Sequence, residues 1–259
     1  DDDEVGTLNF ITPDRVAHAA SLVRRGVAFN LDHRLDAFRP PVAPHRHAPE
    51  HTIFSNSPHH RDDRIDNFYL QGTTQVDSLR HFRHPDFGFY NGAADDRVIA
   101  GSPTIGVNRY AERCIAGRGV LIDVDRHLRR HGRPLDFRSG EPFPVSTLDD
   151  AAAAQGVRFM RGDILLMRTG WLASYFGEMS QTERDALPRN LRCPGLIQAR
   201  ETVEWLWDNG IAVAASDNVG FEAIPSIRES PFISARDRAA GTDPIHAGLM
   251  HPTLIALMG

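Results

Sequence analysis

Apolar residues fall into a few compact runs separated by long polar stretches, and the runs differ in period. Val16, Ala20 and Val23 share one face of a predicted helix that Thr12 can cap, Pro13 can open and Gly26 can end. From residue 27 to about residue 60 the chain is rich in Pro, His and Arg with little periodicity, which predicts short strands joined by long loops. GVLIDV at 119–124 and RGDILLMRTGW at 161–171 read as strands inside a sheet. Between them 145–155 reads as a helix, with Ser146 or Thr147 as cap and Asp149 and Asp150 near the positive end of its dipole. Leu196, Ala199, Val203, Leu206 and Trp207 form one stripe of a helix predicted over 195–209, stopped by Gly210. IAVAASDN at 211–218 follows as a small-residue strand ending in polar residues, where mixed α/β sheets commonly place sites. No repeat, no low-complexity tract beyond the alanines at 151–154 and no clear linker divides the chain, so one domain over 1–259 is expected, with 1–60 as a helix and loop-rich arm packed on it.

Composition narrows the partners. The chain has 259 residues, 41% of them hydrophobic, enough for a sizeable core. A net charge of −5, spread along the chain with acids interrupting each Arg-rich patch, argues against nucleic acid. No apolar run approaches a membrane span, and the acidic start is unlike a signal peptide. Two cysteines, Cys114 and Cys193, are too few for a disulfide framework, so a reducing, cytoplasmic setting is the expectation. A small-molecule substrate, no nucleic acid, no membrane and a homo-oligomer are the expected associations. Thirteen histidines, many of them between His45 and His84, make metal chemistry worth testing.

The segment QGTTQVDSLRH at 71–81 concentrates that chemistry, with Gln71, Gln75, Asp77 and His81 at spacings of four, two and four. Gln75 and Asp77 would share a face of a strand, and Asp77 and His81 a face of a helix. A carboxylate is a natural ligand for a divalent ion, and a nearby imidazole is a natural base for a bound water. Structurally, Asp77 could equally cap a helix starting at Ser78, with His81 packed against Phe82. His45, His47 and His51 alternate and could bind metal, or sit solvated in a Pro-flanked loop.

The segment resembles the signature His-x-Gly-Thr-His-x-Asp-x-x-x-His of the cyclase family, the kynurenine formamidase-like and isatin hydrolase-like metal-dependent hydrolases. TTQVD at 73–77 stands for Gly-Thr-His-x-Asp, and His81 for the last histidine. DEVGTLNFITP at 3–13, FYNG at 89–92, GRGVLIDV at 117–124, GDILLMRTGW at 162–171, PGL at 194–196 and SDNVGFE at 216–222 fall in the order shown by longer members of the family. The resemblance implies an α/β fold of the swivelling β/β/α type with a mixed central sheet, and hydrolysis of amide, formamide or lactone-type bonds with bound zinc or manganese. It implies Asp77, Gln71, Gln75 and His251 as metal ligands and His81, with Gln75, as the catalytic residues. His81 would take a proton from a metal-activated water and return it to the leaving atom. Gln71 and Gln75 stand where the signature has histidines; their neutral oxygens would lower zinc affinity or favour a harder ion, manganese or magnesium. Longer members with Gln at the second position occur. His246 and His251 flank HAGLMH, and the sequence stops at Gly259, ahead of the glutamate that completes the metal centre in the family. Asp217 and Glu222 fit an acidic pair of the family, as second-shell support or substrate contacts, or else as a strand-end cap and a surface carboxylate. Tyr90 and Asn91 could line the pocket, and Trp171, Trp205 and Trp207 the core or a pocket wall. A lactone or cyclic-amide ring-opening enzyme and a metal-poor binding protein that keeps the fold are the competing readings.

Overall fold

The computed structural model describes residues 2–243 and 247–259. They form two compact units: Asp1–Arg25, Ser78–Ser174 and Arg192–Gly259 make the larger, and Gly26–Asp77 with Tyr175–Leu191 the smaller.

The larger unit is built on a parallel sheet in the order β3 (Gly119–Asp123), β5 (Ile164–Arg168), β7 (Val213–Ser216). Gly119 lies opposite Ile164, and Ile164 opposite Val213. Parallel neighbours need crossovers, supplied by α3 (Val124–Arg130) and α4 (Ser146–Gln155) before β5 and by α7 (Arg200–Asp208) before β7. Val120 and Ile122 of β3 and Leu165 and Met167 of β5 are buried, while Leu121 points to solvent, so the apolar runs place alternate side chains in the core. The 161–171 run is strand only over its middle: Gly162 adopts φ +91°, and Thr169 and Gly170 turn away under hydrogen bonds from their amides to Asp217.

The helix predicted from residue 195 begins only at Arg200. Gly195–Leu196 is instead a strand, β6, pairing in parallel with β4 (Pro142–Phe143), and Leu196 also bridges to Glu222. Leu196 fits a helical stripe by spacing, but Gly195 admits a close backbone approach that a helix would not allow. A Cβ there would lie 2.3 Å from the carbonyl carbon of Glu222. α1 (Pro13–Ser21) ends before the predicted Gly26, buries no residue, and receives no side-chain cap from Thr12.

A core cluster of Leu8, Ile11, Leu79, Ile105, Tyr110 and Ala212 joins the start of the chain to the sheet. Leu79 is 2% exposed, and burying such a side chain is worth roughly 1.5–3 kcal/mol. It anchors the stretch that carries His81.

The smaller unit holds an antiparallel hairpin, β1 (Glu50–Ser57) and β2 (His60–Asp66), and an aromatic cluster in which Phe38 lies 5.1 Å from Tyr175 and 5.8 Å from Phe176. Arg184 of α6 (Gln181–Ala186) stacks over Tyr175, and a Ser180–Glu183 capping box starts that helix. No helix among the described residues is long and apolar enough to cross a membrane.

Candidate active site

The chain leaves β7 into a tight loop whose shape is set by Asn218. Its Oδ1 accepts from the amide of Phe221 at 2.7 Å, and its Nδ2 donates to the carbonyl of Pro194 at 2.6 Å. Phe221 is held at φ +58°, a region that bulky residues enter at a cost. The consequence is Glu222, whose carboxylate is fully buried. Its Oε1 accepts from His251 Nδ1 at 2.5 Å and from the His251 amide at 3.0 Å; its Oε2 accepts from the Met250 amide at 2.7 Å and from Gln198 Nε2 at 2.9 Å. Four donors match the acceptor capacity of a carboxylate, and two of them are amides at the amino end of the final helical segment, where negative charge is favoured.

Gln198 is itself fully buried. It also donates to the carbonyl of Ala223 at 2.7 Å and accepts from the amide of Ile227 at 3.1 Å, so its amide orientation is fixed by three partners. The bond to Glu222 assigns a proton to His251 Nδ1, leaving Nε2 as the basic nitrogen of the neutral ring. Phe82 lies 5.3 Å from the His251 ring, and His81 packs edge-on against Phe82 at 4.8 Å. Both imidazoles therefore flank one phenyl ring, and the amide of His81 closes a turn onto the carbonyl of Ser78.

The structure thus brings Glu222 and His251 into direct contact, and Phe82 has ring contacts with both His251 and His81. Glu222 is no surface carboxylate. Asp217 closes the end of β5, its Oδ1 accepting from the Thr169 hydroxyl at 2.8 Å and its Oδ2 from the Gly170 amide at 2.9 Å. The Tyr90 hydroxyl donates to Asp3 at 2.7 Å, and Asn91 donates to the Asp3 carbonyl at 3.0 Å, so these two hold the N-terminal segment. Burial, with the Asp3 carboxylate beside it, pushes the Tyr90 hydroxyl well up. Trp171 is buried and donates to the Arg192 carbonyl at 3.1 Å, whereas Trp207 is half exposed. Burial pushes the Cys193 thiol up to about 12, so it is no nucleophile. His246 lies outside the described residues.

Gln71, Gln75 and Asp77 belong to the smaller unit. There the Arg46 guanidinium donates to the Gln71 carbonyl, and burial lowers its pKa against the opposing pull of the Asp77 charge. Gln75 is exposed, and His51 is hydrogen-bonded to Asp63 at 2.8 Å. A structural or catalytic zinc takes three or four imidazole, thiolate or carboxylate donors. Among the described residues no three His, Cys, Asp or Glu side chains converge in that way. The ligand set that the resemblance implies, Asp77, Gln71, Gln75 and His251, offers one carboxylate, one imidazole and two neutral amides, with the Arg46 guanidinium at the Gln71 carbonyl, and such a set does not fit a zinc centre.

The putative cyclase profile matches residues 20–223, most of the chain. The chain belongs to the putative cyclase family. A crystal structure of a novel cyclase is similar to this family member at 30% identity and a TM-score of 0.74, covering 86% of this chain and 76% of that one. Isatin hydrolase A from Labrenzia aggregata, bound to benzyl benzoate, is similar at 15% identity and a TM-score of 0.50, covering 88% of this chain and 75% of that one. That likeness is one of fold. No curated protein matches the sequence.

Gln198 escaped the sequence reading, and Phe82 entered it only as the residue against which His81 packs, as it does. A lone glutamine carries no local signal of function; only its hydrogen bond to Glu222 in the fold reveals it.

Proposed function

We propose that this cyclase-family protein hydrolyses a C–N or C–O bond in a small amide, formamide or lactone, using paired imidazoles in place of an ion-bound water. The observation that carries this is the 2.5 Å contact between His251 Nδ1 and the buried carboxylate of Glu222. A histidine so oriented presents Nε2 as a base in one tautomer, and the carboxylate stabilises the imidazolium formed when it takes a proton.

In this reading His251 Nε2 takes a proton from a water that attacks the substrate carbonyl. His81, across Phe82, delivers a proton to the departing nitrogen or oxygen, and the two rings exchange protons with solvent between turnovers. Phe82 supplies an apolar wall against which a planar acyl or ring substrate can lie. Because the donor set does not fit zinc, no step is assigned to a metal. Asp77, Gln71 and Gln75 enter through the family signature alone; should an ion be held there, its neutral amides favour manganese or magnesium over zinc.

The test is a panel of aryl formamides, lactones and cyclic amides, including isatin, with the full chain and its His251→Ala and His81→Ala variants. Hydrolysis of one class, lost in both variants, supports the assignment. Full activity in either variant removes that residue from the mechanism, and the absence of turnover across all classes favours a binding protein that keeps the fold.

A further inference from the structure

The acids at the start of α3 are matched, and two of its bases are not. Asp123 is held by Arg168 at 2.7 Å, and Asp125 by Arg129 at 2.7 Å and by Arg168 at 3.1 Å. Arg126 and Arg130 lie four residues apart, on one face of the helix, and their side chains have no carboxylate partner among the described residues. His127 and His131 form the adjoining row, with ring centroids 4.5 Å apart. His131 Nδ1 is engaged with the His127 carbonyl at 2.9 Å, which leaves Nε2 for another partner. Basic residues in a last helical turn answer the helix dipole, but Arg126 sits in the first turn, where positive charge is disfavoured. In a chain of net charge −5 this cluster runs against the overall balance.

The four side chains line a groove bounded by α3, α4 and β3, with a volume of about 660 Å³. Small-molecule sites occupy roughly 300–1,000 Å³. The groove is open because α4 presents Ala151 and Ala154 to it, two of the four alanines at 151–154, and Leu121, 55% exposed, supplies an apolar wall. β3 is the edge strand of its sheet, and an open edge would invite another strand. Gln155 closes that route: its Nε2 donates to the Leu121 carbonyl at 2.8 Å, and its Oε1 accepts from the Asp123 amide at 2.9 Å. With that carbonyl and that amide satisfied, the groove offers a ligand side chains: cations along α3 and small apolar surface opposite them.

We propose that this groove binds a small organic anion carrying two or more charges, a phosphate ester or a polycarboxylate. Arg126 and Arg130 hold its anionic groups, since guanidinium forks match phosphate and carboxylate oxygens in pairs, and Leu121 with the alanines meets its apolar part. The groove shares no residue with the Glu222–His251 pair, so the proposal stands independently of the hydrolytic reading.

The test is calorimetric titration of the full chain with phenyl phosphate and with citrate at constant ionic strength, the preferred probe telling a phosphate source from a carboxylate one. At least one probe should saturate a single site per chain. Arg126→Gln/Arg130→Gln should weaken that binding at least about tenfold, as should Ala154→Leu, which fills the groove, while Arg236→Gln on α8 (Ala235–Ala240) should leave it unchanged. All four positions are exposed, so the variants keep the fold. Lack of saturable binding by both probes overturns the proposal, as does binding that the double arginine variant leaves unaltered or that Arg236→Gln weakens equally.

Discussion

His251 and Glu222 are 29 residues apart in sequence and 2.5 Å apart in the fold, and the carboxylate between them is wholly enclosed. Glu222→Gln keeps the volume but removes the charge that steadies an imidazolium, and turns one of its two oxygens into a donor that faces two other donors. We expect kcat to fall by roughly 10²–10⁴-fold with KM little changed. The donors left unmatched should cost about 1–3 kcal/mol of stability. Steady-state kinetics beside urea unfolding separate the two effects, and an unaltered kcat would remove the pair from the chemistry.

Gly195→Ala should damage the same site without touching a site side chain. The new Cβ would meet the Glu222 backbone at 2.3–2.5 Å, so the loop must move, at a cost of about 1–3 kcal/mol and with loss of turnover. Gly177→Ala, where a Cβ meets nothing within 4 Å, is the matched control and should be neutral or slightly stabilising. Equal thermal midpoints for the two variants would contradict the close approach at Gly195.

The sheet was legible because β3, β5 and β7 are apolar runs with turn residues at their ends, and a buried parallel strand needs no other signal. Leu196 misled because spacing cannot distinguish a helical stripe from a strand that ends where a helix starts. The hairpin was hidden for the opposite reason: with both faces exposed, Glu50–Asp66 has no alternation of apolar and polar residues to read. Glu222 and His251 were each visible as candidates, but their pairing depends on the Asn218 loop, and Gln198 has meaning only once that loop is folded. The family signature drew attention to Asp77 and His81, whereas the contacts of the larger unit give the orienting carboxylate to His251.

Stability should fall as the medium becomes acidic, in part through His84. Burial, opposed by the Asp86 charge, lowers its pKa from 6.5, and its Nδ1 accepts from the Asp86 amide at 3.1 Å. The unfolded chain therefore binds a proton before the folded one does, so stability is fully present above the ordinary histidine value and is lost as pH falls toward the folded value. His84→Asn keeps an acceptor for the amide and should flatten the dependence of the thermal midpoint between about pH 7.5 and 5.5. An identical slope in both proteins would assign the effect elsewhere.

Metal content gives an independent check. Protein purified without chelators should carry well under one zinc per chain, and EDTA dialysis should leave hydrolysis unchanged. Stoichiometric metal, with activity lost on chelation and restored by manganese, would return the signature residues to the centre of the reaction.

Asp217 has a consequence for what the sheet can recognise. At the carboxyl end of parallel strands, backbone amides in a tight turn before a helix are the usual receptors for phosphate groups. Here the amides of Thr169 and Gly170 already serve a carboxylate from the neighbouring strand. A phosphate group arriving at this turn would meet a fixed negative charge in the cradle it needs.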